Sequence, residues 1–292
     1  MNPTGLKSRF RSLYRQSLPG SRINEDGVGL HGRYAWIIDG ATGLSTEQLT
    51  SGGSDAAWLA GIVAEKLAEL SEGDRGLQDI LRSLEAHARE AFAEATAHLP
   101  GRQDHHAPSA CLGLVSARPA DDGKVLLEGS FLGDVVALVP TENGVVRWTD
   151  ERSKPFEKKT LAALGGQEHE PGRIPEAARR QILENRTMLN HPDGYWVVSP
   201  RRPWVGRELR FEAQVRAGEP IALATDGFMR LVDVFGAYSD ESLLAALAKG
   251  RGEALIQELR ERERGDLMAG AYPRVKIHDD ATVLVMKAEP CG

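Results

Sequence analysis

Apolar residues gather along this chain in short runs that stop abruptly at acids. Trp36-Ile37-Ile38 breaks at Asp39-Gly40-Ala41-Thr42-Gly43-Leu44, and Ile221-Ala222-Leu223-Ala224 breaks at Thr225-Asp226-Gly227. Runs of this length read as buried strands, and an Asp-Gly step at the end of one reads as a turn, since Asp tolerates tight backbone geometry and Gly supplies positive φ. The order inverts at Asp279-Asp280, which stands directly ahead of Ala281-Thr282-Val283-Leu284-Val285-Met286.

Two stretches switch to helical spacing. Ser54 is a good N-cap for a helix from Asp55 to Leu70, and a second helix is predicted from Leu77 to His98 with Ile80, Leu81, Leu84, Ala91 and Phe92 on one face. Both stripes suit a helical layer packed on a sheet. From Ala110 to Trp148 the pattern becomes strands on tight links: Cys111–Ala117, Lys124–Leu132, Val135–Pro140 and Val145–Trp148, the last two joined at Asn143-Gly144, a strong hairpin signal. Strands on two- or three-residue links must be antiparallel, which argues against a doubly wound nucleotide fold.

The remainder is less regular. Residues 1–20 carry four basic residues and no acids, and read as a lead-in with at most one short strand. Residues 149–220 are rich in charge and proline, hold one predicted helix from Pro175 to Leu189, and suggest a flap over a binding site. Further helix is expected after Ser239-Asp240-Glu241 and from Glu253 to Arg264, with a closing strand from Ala281 to Lys287. The expected organisation is one domain over 21–288 and a short tail at 289–292.

Composition narrows the class. The 292 residues, 41% of them hydrophobic, can bury a large core. A net charge of −6 gives no electrostatic case for nucleic acid. Two cysteines, Cys111 and Cys291, cannot build a disulfide framework, and no apolar segment is long enough to span a bilayer, so a reducing, cytoplasmic setting off the membrane is expected. Nothing demands an oligomer, and a monomer is the expectation. His105-His106 has no matching His or Cys pair at ligand spacing and is not read as a metal site.

Acids recur at strand ends throughout: Glu25-Asp26, Asp39, Asp134, Asp226 and Asp279-Asp280. Only folding could bring them together, and the chemistry that needs such a cluster is a hard divalent cation site, because Mg²⁺ and Mn²⁺ prefer oxygen ligands. Arg22, beside them, is either a surface cation or a forked contact to a phosphate oxygen.

Asn24-Glu25-Asp26, Asp39-Gly40, Gly133-Asp134, Ala224-Thr225-Asp226-Gly227 and Asp279-Asp280-Ala281-Thr282-Val283-Leu284-Val285 together resemble, in order and over roughly Ser21 to Met286, the signature blocks of the PP2C-type metal-dependent serine/threonine phosphatases. The resemblance implies an α+β fold: a central β-sandwich of two antiparallel sheets flanked by helices on both sides, with two Mg²⁺ or Mn²⁺ ions at one end. It implies that Asp39 bridges both ions and Gly40 offers its carbonyl to one. Asp226 and Asp279 would ligate the first, Glu25 and Asp26 would hold the second through water, and Asp134 would support a third. Since neighbours on a strand point to opposite faces, only one of Asp279 and Asp280 can face the ions, and the family pattern selects Asp279.

Two departures bear on activity. Many members carry a His after the bridging Asp-Gly as general acid, where this chain has Ala41, and the phosphate-binding Arg expected four residues before Glu25 is replaced by Ser21, with Arg22 one step late. Three functions stay open: a phosphatase acting on phosphoserine and phosphothreonine in proteins, a weakly active or inactive regulatory binding protein of the same fold, and a phosphatase of small phosphorylated metabolites.

Overall fold

In a computed structural model, which describes residues 7–41, 48–99, 107–165 and 174–291, the chain folds as a four-layer αββα sandwich. Thr42-Gly43-Leu44 and His105-His106 lie outside the described residues. The described strands are β1 (Lys7–Leu18), β2 (Asp26–His31), β3 (Tyr34–Ala41), β4 (Ser109–Pro119), β5 (Lys124–Leu132), β6 (Val136–Thr141), β7 (Gly144–Trp148), β8 (Leu209–Arg216), β9 (Pro220–Ala224) and β10 (Ala281–Cys291). They form two five-stranded sheets, ordered β1-β10-β9-β6-β7 and β2-β3-β4-β5-β8, and every pairing is antiparallel.

The inner faces bury Ala35, Ile37, Val115, Leu127 and Phe131 of the second sheet against Phe10, Ala137, Ile221, Leu223, Leu284 and Met286 of the first. The outer faces are covered by helices. Trp36, Ile38, Leu112 and Leu114 pack against α1 (Asp55–Leu70) and α2 (Leu77–Ala95). Leu138, Ala222, Val283 and Val285 pack against α5 (Asp226–Asp233), α6 (Asp240–Ala248) and α7 (Gly252–Gly265). Both faces of the central strands are therefore apolar, which explains why they read as continuous apolar runs rather than alternating ones. Ser54 caps α1 by accepting from Ala57 N–H, and Ser239 and Ser242 cap α6 reciprocally. No helix among the described residues is long and apolar enough to cross a membrane.

Four expectations change. Residues 7–18 are no lead-in: they make a 12-residue strand that pairs along β10, whose own extension to Cys291 absorbs most of the supposed tail. Alternation of exposed charge with Phe10 and Ser8 conceals that strand. The Glu25-Asp26 loop runs directly into β2. The 149–220 stretch is not only a flap, since it holds α3 (Lys154–Ala163), α4 (Glu176–Thr187) and β8, which pairs with β5 as an edge of the second sheet. The Asp-Gly steps are not turns either. Gly40 continues β3 and Gly227 lies in the first turn of α5, both without positive φ.

What those two glycines provide is closeness. A Cβ on Gly40 would stand 2.6 Å from the Glu25 carbonyl oxygen, and one on Gly227 would stand 1.9 Å from that of Asp280. Gly40→Ala is expected to destabilise the protein by about 1–3 kcal/mol through overpacking against backbone that cannot yield. A urea midpoint unchanged from the parent would contradict this.

Candidate metal centre

The register delivers the acids to one end of the sandwich. Asp26 opens β2 directly opposite Asp39 at the end of β3, and Cys111 of β4 lies opposite Asp39 on the other side. Opposed residues share a face, and Asp39 has the parity of Ala35 and Ile37, so it points between the sheets. Asp134 follows β5 after Gly133, and its carboxyl lies near the Cys111 thiol and Glu157 on α3, which both act on its ionisation. On the facing sheet, Ala224 pairs with both Val283 and Val136, which levels Asp226 at the start of α5 with Asp279 just ahead of β10.

Threonines tie the two sheets together here. Thr225 Oγ1 donates to Asp26 Oδ2 at 3.0 Å and accepts from the Thr282 N–H at 3.0 Å. Asp226 and Asp39 stand close enough that each carboxyl acts on the ionisation of the other. Glu25 accepts from Ser54 Oγ at 2.6 Å, so the N-cap of α1 also anchors an acid of the cluster. The choice within the acid pair is decided by backbone contacts. Asp280 turns away and accepts the N–H groups of Gly20 and Glu25, each at 2.7 Å, which leaves Asp279 to enter the cluster.

Crowded carboxylates resist ionisation. Burial, followed by the charges of Asp26, Asp226, Asp134 and Asp279, pushes Asp39 well above the usual carboxylate range. Burial likewise raises Asp26 to about 8, against the lowering effect of its bonds from Thr282 and Thr225 and with added repulsion from Asp280 and Asp226. Asp134 is raised by burial, then by Asp226 and Glu157. Asp226 is also raised, by burial and by Asp279, although its side chain opens to solvent and is better screened than the rest.

Asp279 is the exception. Burial acts against its charge, but Lys276 and Arg230 hold it below the usual range. Arg230 Nη2 donates to Asp279 Oδ2 at 2.7 Å and Lys276 Nζ to Oδ1 at 2.9 Å, so both carboxylate oxygens are taken. Arg230 is itself fixed from behind. Its Nη1 donates at 2.9 Å to Glu263, a fully buried acid that also receives Arg260 at 2.6 Å and contacts His278 Nδ1 at 2.9 Å.

The donor set therefore divides. Asp26 Oδ1 is buried without a partner, and Asp39 and Asp226 are contacted by no cation among the described residues, Arg230 and Lys276 acting on Asp226 through charge alone, so this half is short of positive charge and fits a hard divalent ion. Among the described residues no three His, Cys, Asp or Glu side chains are spaced as a ready-made cage. The half at Asp279 does not fit an ion, because a guanidinium and an ammonium already stand on it. Of the three acids expected to ligate a first ion, Asp39 and Asp226 lie in the first half and Asp279 in the second.

Arg22 is exposed in the turn between β1 and β2 and makes no ion pair among the described residues. Arg230, Lys276, Glu157 and Thr225 were not singled out from the sequence as site residues. A lone Arg inside Phe228-Met229-Arg230-Leu231-Val232, four residues after Asp226, was the available signal for the first. Glu157 had none, lying in a segment without legible periodicity.

The raised carboxyls make a statement about stability. A carboxyl held up in the folded state contributes stability below its unfolded value near 4, and that contribution is lost as pH rises through the folded value, about 8 for Asp26. Metal-free protein should therefore melt lower at pH 8 than at pH 5, Asp26→Asn should flatten that fall, and Mn²⁺ should restore the lost stability at pH 8. A melting temperature that rises from pH 5 to pH 8 in chelator would contradict the arrangement.

No family model matches the chain, and no curated protein matches it. Solved structures do. The serine/threonine phosphatase PstP/Ppp of Mycobacterium tuberculosis superposes with a TM-score of 0.53 at 19% identity, covering 97% of this chain and 99% of that one. The PstP catalytic domain in complex with two manganese ions gives 0.53 at 18%, with 98% and 100% covered. Serine/threonine phosphatase Stp1 from Staphylococcus aureus gives 0.54 at 14%, with 97% and 95% covered. At such identities the likeness speaks to architecture, and it establishes that this chain has the fold of the PP2C-type phosphatases from end to end.

Proposed function

We propose that the chain is a metal-dependent phosphomonoester hydrolase whose substrates are phosphoserine and phosphothreonine in proteins. The observation that carries this reading is the buried Asp26 Oδ1 without a partner beside Asp39 and Asp226, acids that no cation contacts among the described residues, an arrangement short of positive charge at one end of the sandwich. Asp26, Asp39 and Asp226, with the Gly40 carbonyl, would hold Mg²⁺ or Mn²⁺, and Glu25 would act through water. Such an ion lowers the pKa of a water toward neutrality and offsets charge on phosphoryl oxygens. The substrate class is supported by the serine/threonine phosphatases that share the fold.

The chain's own groups do the remainder. Asp39 and Asp226, once both are ionised, orient the attacking water and accept its hydrogen bonds. Lys276, with a half-exposed side chain at the mouth, places an ammonium where a phosphate dianion approaches, and Arg22 can add a second cation from the β1–β2 turn. Without bound cations the acids repel the dianion, so metal loading acts as the switch. Ala41 offers no proton to the departing alkoxide, which must take it from solvent. A missing general acid costs about a hundredfold, and most for a poor leaving group such as serine.

A second reading, a weakly active or inactive regulator that binds phosphoproteins, is favoured by the neutralised Asp279 and by Ala41. Hydrolysis of p-nitrophenyl phosphate separates the two. The enzyme reading expects turnover only with added Mn²⁺ or Mg²⁺ and a drop of about a hundredfold or more in Asp39→Asn. A baseline that neither metal nor substitution alters would favour the regulator. Ala41→His is expected to raise the rate on a phosphoserine peptide by about tenfold or more while changing p-nitrophenyl phosphate little, since that leaving group needs no proton. Equal gains on both substrates would contradict the role given to position 41.

A further inference from the structure

We infer that Arg230 and Lys276 are built-in replacements for one of the two cations, so that this centre takes a single divalent ion. The inference rests on the metal-dependent reading of the same site and narrows it. A cation stands on each oxygen of Asp279, at 2.7 and 2.9 Å. A divalent ion bound to Oδ2 would have to displace the guanidinium or accept its repulsion, and one bound to Oδ1 would have to displace the ammonium.

Arg230 is not free to leave. It is 6% exposed, donates also to the Ile277 carbonyl at 3.3 Å, and its other nitrogen is held by Glu263, which is fully buried. Moving the guanidinium would strip a buried carboxylate of one partner, and breaking such a pair is strongly unfavourable. Glu263 comes from α7, Arg230 from α5 and Asp279 from the approach to β10, so three elements hold the cation in place. Lys276 differs: with 53% of its side chain exposed, it can swing into solvent at small cost.

The charge arrangement is consistent on both sides of the cluster. Arg230 and Lys276 both contact Asp279 directly, whereas among the described residues neither makes a hydrogen bond or ion pair to Asp26, Asp39 or Asp226, and Asp26 Oδ1 is buried without a partner. One small divalent ion supplies what is missing there, and the chain supplies the rest.

Titration of the full-length protein with Mn²⁺, followed by calorimetry and by electron paramagnetic resonance, reads this without any assay of activity. The expected result is one ion per chain with the six-line signal of isolated Mn²⁺. Asp279→Asn should keep that stoichiometry and weaken binding by less than about tenfold, whereas Asp39→Asn should weaken it by about a hundredfold or more, as loss of a direct ligand exceeds loss of a neighbouring contact. Arg230→Gln combined with Lys276→Gln should allow a second ion. Lys276→Gln alone, at an exposed position that leaves the buried network intact, should tighten any weak second event about tenfold or more. Two ions of similar affinity with a spin-coupled signal in the parent, or loss of all binding in Asp279→Asn, would overturn the single-ion inference while leaving metal dependence standing. No ion bound at all would overturn the metal-dependent reading itself.

Discussion

Like charges brought together at the end of a close-packed sandwich must be compensated, and the organisation of this molecule follows from how that is done. Two carboxylates about 4 Å apart repel by about 4 kcal/mol at an effective dielectric of about 20, a large share of what holds a domain together. The two sheets provide the rigidity to bear it. Asp26 and Asp39 are opposed in one ladder, Asp226 and Asp279 stand at adjoining strand ends of the other, and Thr225 bonds across the gap to Asp26. Burial first, and repulsion after it, make Asp26 and Asp39 reluctant to ionise, so protons offset part of the cost.

The same demand is met in a second way a few ångströms off. The line of charge from Arg260 through Glu263 to Arg230 and Asp279, ending at Lys276, alternates in sign along its length. It is buried at its centre and exposed at its end. A site compensated half by fixed side chains and half by a dissociable ion has a different electrostatic character from one that depends on ions throughout: part of its positive charge survives chelation. The Cys111 thiol, near Asp134 and pushed up by burial, adds a neutral partner on the far side of the cluster without adding charge.

Much of the architecture could be read along the chain because local rules and tertiary demand agree there. The helix at Asp55–Leu70 is announced by Ser54 and a clean apolar stripe, and the β6–β7 hairpin by Asn143-Gly144. β1 and β8 were hidden because both are edge strands with exposed charges on alternate positions, so neither has the apolar run that marks a central strand. The Asp-Gly steps were located correctly and misread in conformation: the glycines are needed for backbone approach, a requirement set by Glu25 and Asp280 from distant parts of the chain.

The order and residue types of Glu25, Asp26, Asp39, Asp134, Asp226 and Asp279 are written in the sequence, along with the strand pattern beside each, and those were enough to expect one acidic pocket in a sandwich. Which acids remain short of charge was decided only by tertiary structure. Arg230 is 49 residues from Asp279 and Glu263 is 33 from Arg230. Electrostatic partnership depends on distance through space and on exclusion of water, and neither is encoded in spacing along a chain. A periodic apolar stripe reports its own environment; a charge does not name its partner until the fold has placed both.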